Sequence, residues 1–247
     1  MIAGAHVFVG APGIADDLLE RIVTVAPEAL TGCHGIEFVS QDEFRRNWRP
    51  LIRGSGRFDL LESTTFFPDA QSVIVCAPRL FQAKGSAWKA RGLMTGKANL
   101  ISGVLQLLGG RAARVHLLID EPLRYLCANG ETPDDWSEVS VSSKNNVPLW
   151  KGLVDEILGG LGPNDVLDVW NTESSADVLV NLAEAVFGFD RFQSETVAEE
   201  IDKLTHSRFT FNPPEEIVNH PLSDLLDASF ESDVDIIRGT PGVNYHE

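Results

Sequence analysis

Short apolar runs recur along this chain, and each passes directly into a helical pattern. Val73-Ile74-Val75-Cys76 contains no polar residue at all. Such a strand has no face to give to water, so it belongs in a parallel sheet covered on both sides. Residues 5–10, 36–39, 114–119 and 166–170 read as further strands of the same kind. Repeated strand–helix alternation predicts an α/β fold with a mainly parallel sheet and helices on both faces.

The segments between the strands carry helix signals. After the first strand, Asp16 and Asp17 fall in a first turn, where the helix dipole favours acids. Leu18, Leu19, Ile22 and Val23 then give an apolar face. Ser40-Gln41-Asp42-Glu43 has the form of a capping box, with Ser40 at the N-cap and Glu43 at N3. That helix runs toward Arg53. Further helices are expected over 97–108, from Pro122, over 148–158, and from a Ser175 cap through Phe187 to a stop at Gly188. Residues 190–247 read as a helical C-terminal extension of two or three short acidic helices.

Size and charge narrow the function. The 247 residues, 43% of them hydrophobic, suit one α/β domain spanning 1–247. No run approaches the about 20 apolar residues that span a bilayer, so no membrane partner is expected. Formal net charge is −16, and residues 195–247 hold twelve acids against three bases. That balance disfavours nucleic acid and anionic lipid. Cys33, Cys76 and Cys127 form no CxxC pair, which fits reduced thiols in a cytoplasmic protein.

The order of elements resembles the sulfotransferase family, in particular divergent bacterial members. Three places carry the resemblance. The first is the opening strand, loop and helix from Val7 to Leu19. The second is Val115-His116-Leu117-Leu118-Ile119-Asp120-Glu121-Pro122. The third is 166–187, with Trp170-Asn171-Thr172-Glu173 and Gly188, together with Phe230-Glu231-Ser232-Asp233-Val234-Asp235-Ile236-Ile237 near the C-terminus. The resemblance implies a P-loop-type sheet and a site for 3′-phosphoadenosine 5′-phosphosulfate (PAPS). It further implies transfer of a sulfo group to a hydroxyl or amine of a small molecule or glycan. The implied nucleotide positions are Gly10, Pro12, Gly13, Ile14, Ala15, Asp16, Asp17, Asp120 and Ala128.

At those positions the chain departs from the family. Gly13 stands where the family has its catalytic Lys, and Ile14 where it has a Thr or Ser. Asp16 and Asp17 replace hydroxyl residues. Asp120 replaces the Arg of the 3′-phosphate site, and Ala128 replaces its Ser. A unit charge at about 5 Å, at an effective dielectric near 20, contributes roughly 3 kcal/mol. Exchanging attraction for repulsion therefore removes on the order of four decades of affinity. The expectation is a sulfotransferase-like protein with a degenerate PAPS site. The alternative is a noncatalytic binding or partner protein that uses an acidic crevice or the acidic tail.

Two clusters remain as candidate sites. Arg79, Lys84, Lys89 and Arg91 lie in the basic stretch 77–97, which holds no acid and could supply substitute anion ligands. Asp16, Asp120 and Glu121 could converge at strand ends, either on a divalent cation or simply as helix-start residues. The histidines show no metal spacing. His6 and His116 fall inside strands, as hydrogen-bonded core residues. No Gly-x-Ser-x-Gly elbow is present, and Gly10-Ala11-Pro12-Gly13 does not supply the dinucleotide fingerprint.

Overall fold

The computed structural model describes residues 4–10, 36–54, 67, 69–77, 80–81, 88–89, 92–93, 99–123, 125, 150–172, 175–205 and 223–247. Six strands form one open, all-parallel sheet. In chain order they are β1 (Gly4–Gly10), β2 (Ile36–Val39), β3 (Ser72–Cys76), β6 (Ala113–Ile119), β7 (Val166–Asn171) and β8 (Val243–His246). Their order across the sheet is β2-β3-β1-β6-β7-β8. A separate antiparallel pair, β4 (Trp88–Lys89) and β5 (Gly92–Leu93), falls within the basic stretch that the sequence suggests is a plain loop.

Several helix ends have a local reason. The Ser40 side chain accepts the Glu43 N–H at 3.2 Å, so the expected N-cap is present. The helix it opens runs as α1 (Gln41–Glu43), a π-helical turn (Phe44–Trp48) and α2 (Arg49–Gly54). The π-helical turn buries both Phe44 and Trp48. α3 (Asn99–Leu107) follows β3, and α4 (Lys151–Gly160) precedes β7. α4 starts three residues later than the sequence suggests. Ser175 is the first residue of α5 (Ser175–Leu182) rather than its cap. A π-helical turn (Ala183–Phe187) extends α5. Gly188 closes it in the left-handed conformation, φ 68°, where a glycine carries no Cβ penalty.

The C-terminal part corrects the expectation most. Residues 190–247 do not form short helices alone. α6 (Arg191–Thr205) has 15 residues and α7 (Ser223–Arg238) has 16, and β8 then joins the main sheet beside β7. α7 buries Leu226, Phe230, Val234 and Ile237, spaced four, four and three apart, which is one helical face. Its acidity is not all solvated surface. Asp233 is buried and accepts the Lys151 N–H at 2.7 Å, satisfying a donor at the start of α4.

The strand period of two sorts the core into two layers. Ala5, Val7, Val9, Val73, Val75, Val115, Leu117, Ile119, Leu167 and Val169 point to one face, in a single apolar cluster with residues of the π-helical turn after α1, of α2 to α4 and of α7. The opposite face carries Phe8, Ile74, Cys76, Leu118 and Trp170, packed with residues of α5, its π-helical extension and α6. Interleaved on that second face are His6, Arg114, His116 and Asp168. Cys76 is buried, and among the described residues no helix is long and apolar enough to cross a membrane.

Candidate functional site

Open parallel sheets bind ligands beyond the carboxyl ends of the strands, where the strand order reverses. Here β2 and β3 lie on one side of β1, and β6 to β8 lie on the other. The reversal falls between β1 and β6. Gly10 ends β1 and is paired with Leu118, and Asp120 and Glu121 directly follow β6.

Gly10 has a physical role independent of any phosphate. Its φ is +120°, and a Cβ there would stand 2.1 Å from the Leu118 carbonyl oxygen. The two strand ends approach so closely that only glycine fits. Asp120 is 3% exposed, and its carboxylate accepts the Glu121 N–H at 2.9 Å. Its carbonyl accepts the Trp150 indole N–H at 2.9 Å, which ties the start of α4 to the end of β6. Thr172 closes the β7 end, with its N–H and hydroxyl both donating to the Ile119 carbonyl. The described crevice wall is thus a buried carboxylate among inward-turned backbone bonds.

Of the residues singled out in the sequence, Gly10, Asp120 and Glu121 come together at this point. Lys89 lies in β4. Pro12, Gly13, Ile14, Ala15, Asp16, Asp17, Arg79, Lys84, Arg91 and Ala128 lie outside the described residues. Among the described residues, no group of three or more His, Cys, Asp or Glu side chains is arranged to hold a metal ion.

A second constellation lies on the polar face of β1, β6, β7 and β8. His116, Asp168 and Asn244 occupy one row across three strands, and Trp170 and His246 occupy the next row up. Asp168 is fully buried. Its Oδ1 accepts from Asn244 Nδ2 and faces His246 Nε2, both at 3.1 Å, and its Oδ2 accepts from Arg114 at 3.2 Å. Burial pushes this carboxyl up, but the His246 and Asn244 bonds and the neighbouring positive charge outweigh it. It titrates below the ordinary carboxylate value.

The proton positions on the histidine chain follow from Trp170. Its indole is a donor only, and it reaches His116 Nδ1 at 3.1 Å. Neutral His116 therefore carries its proton on Nε2 and donates to His6 Nδ1 at 3.0 Å. Burial, then the neighbouring His6, lower the His116 pKa from 6.5 to about 3. Protonating Nδ1 would also turn an N–H against the indole N–H. His6 and His116 are the bonded core residues the sequence suggests. The sequence reading missed the Asp168 cluster. Its one local signal is the acid inside Val166-Leu167-Asp168-Val169-Trp170, an otherwise apolar strand.

A groove of about 530 Å³ lies at the opposite, amino-terminal end of the sheet, lined in part by Gln106, Arg111, Asn164 and Asp165. Its charged groups serve the fold. Arg111 donates to the carbonyls of Ala70 and Phe67, and Asp165 accepts from the N–H groups of Ala113 and Gly162.

No protein-family model matches the chain, and searches of curated proteins and of solved structures found no match either.

Proposed function

We propose that the chain is a ligand-binding α/β protein of sulfotransferase-like form, whose β1–β6 crevice is noncatalytic and no longer serves PAPS-dependent transfer. The observation that carries this reading is Asp120. It stands where the resemblance places the Arg of the 3′-phosphate site, and it is buried with its carboxylate on the Glu121 N–H. A carboxyl in place of that Arg takes away the cation that the resemblance gives the 3′-phosphate. The ligand class that suits the crevice is neutral or cationic.

One observation favours a second reading, an active sulfotransferase that uses substitute anion ligands. Within the basic stretch 77–97, β4 and β5 pair antiparallel. β5 lies against α4, and the start of α4 is tied to the end of β6 through Trp150.

The thermal unfolding midpoint separates the two readings. A ligand that binds only the native state stabilises by RT ln(1 + [L]/Kd), so weak binding registers at millimolar ligand. The binding-protein reading expects no rise with 3′-phosphoadenosine 5′-phosphate and a rise with Mg²⁺, Ca²⁺ or spermidine. A dose-dependent rise with the nucleotide supports the transferase reading instead. No rise with any of them overturns binding at this crevice for both classes.

A further inference from the structure

We propose that Asp168 and His246 form a general-base dyad at the β7–β8 margin of the sheet, which takes a proton from the hydroxyl of water or of an alcohol. The site is separate from the β1–β6 crevice and does not rest on how that crevice is read.

The geometry fixes which nitrogen is the base. Asp168 receives donors from Asn244 and Arg114, so its carboxylate is ionised and can only accept. His246 Nε2, 3.1 Å from Oδ1, must then carry the proton. Nδ1 keeps its lone pair, and it has no partner among the described residues. The His246 side chain is 32% exposed while Asp168 behind it is fully buried, so the orienting group is dry and the base is reachable. Trp170 holds the ring by stacking, with centroids 4.0 Å apart and planes 12° from parallel.

The same groups surround the protonated product. When a hydroxyl gives its proton to Nδ1, the O–H electron pair stays on the oxygen and the imidazole becomes a cation. That cation faces the Asp168 carboxylate and the indole π-face, both attractive. Arg114 opposes it from the far carboxylate oxygen, at 3.2 Å from Oδ2. His116, 3.7 Å from that oxygen, is neutral, and Glu247 beside His246 is paired with Arg238. The proton then leaves to solvent and restores the base.

The test uses ethyl dichloroacetate, an ester with a poor leaving group, whose hydrolysis by an imidazole proceeds through removal of a proton from water. The dyad predicts acid release at least about tenfold faster than in an equimolar N-acetylhistidine solution, a modest share of what a positioned base supplies. The decisive variant is His246→Gln, whose amide can still donate to Asp168 and so keeps the β8 contact. The dyad predicts that this variant falls to the rate of the remaining histidines. In Asp168→Asn, the rate should fall and its pH profile should shift. The proposal is overturned if the wild type is no faster than N-acetylhistidine, or if His246→Gln keeps the wild-type rate. Either result reduces the cluster to a structural tie for β8. Should Asp168→Asn not fold, the wild type and His246→Gln decide the matter alone.

Discussion

On one face of the sheet, β1, β6 and β7 present Val7, Val9, Val115, Leu117, Leu167 and Val169. On the other, the alternating positions of the same strands are His6, Phe8, Arg114, His116, Asp168 and Trp170. Both faces are buried, yet they are held by different forces. The first contributes through apolar area, at roughly 25 cal/mol per Å², without regard to direction or pH. The second relies on directional bonds, each of which leaves a costly unsatisfied group when its partner is removed. The difference teaches where this molecule is sensitive. The apolar face responds to volume, and the polar face responds to charge and protons.

Paired substitutions break that comparison most forcefully. Asp168→Ala removes the shared acceptor of Arg114, Asn244 and His246. It should lower unfolding free energy by about 3–5 kcal/mol, as for other buried charges stripped of one partner. Leu117→Ala on the opposite face should cost about 2–5 kcal/mol through lost area and a cavity. Equilibrium urea denaturation measures both. The distinguishing result is their pH dependence: the Leu117→Ala deficit should stay constant as pH falls, and the Asp168→Ala deficit should shrink once pH drops below the ordinary carboxylate value.

Acid gives the next effect. His116 binds a proton at 6.5 when unfolded and at about 3 when folded, so the unfolded state holds more protons in between. Stability is therefore full above 6.5 and falls as pH drops, by up to about 1.4 kcal/mol per unit. Asp168, with its carboxyl held low in the fold, adds a loss of the same sign at more acid pH. Urea midpoints that stay flat from neutral pH down to the ordinary carboxylate range would contradict the neutral, buried His116. The smallest effect is Asn244→Ala. It removes one of three donors to Asp168 and should cost about 1–2 kcal/mol in the same denaturation assay, with β8 amides exchanging faster.

Much of the fold was legible because parallel strands announce themselves as unbroken apolar runs. Val73-Ile74-Val75-Cys76 and the strands at 5–10, 36–39, 114–119 and 166–170 all lie in the sheet. Ser40 and Gly188 act as the cap and stop that their chemistry suggests. β8 was not legible. Val243-Asn244-Tyr245-His246 is short and alternates polar with apolar residues, and its place depends on Asp168, 76 to 78 residues away. Local pattern carries no information about such a partner. The same reason hid the second constellation: His6 and His116 read singly as core histidines, but their link is set by register between β1 and β6. At the crevice, Gly10 and Asp120 were legible as positions. The close approach that demands Gly10 became visible only with the strands side by side.

The most direct test of the proposed reading is a calorimetric titration of 3′-phosphoadenosine 5′-phosphate into the protein at low ionic strength, where any surviving attraction for phosphate is greatest. The acidic crevice around Asp120 predicts no saturable heat up to millimolar nucleotide. A saturable isotherm at micromolar concentrations would contradict it, and would mean that cations elsewhere in the chain have rebuilt the anion site.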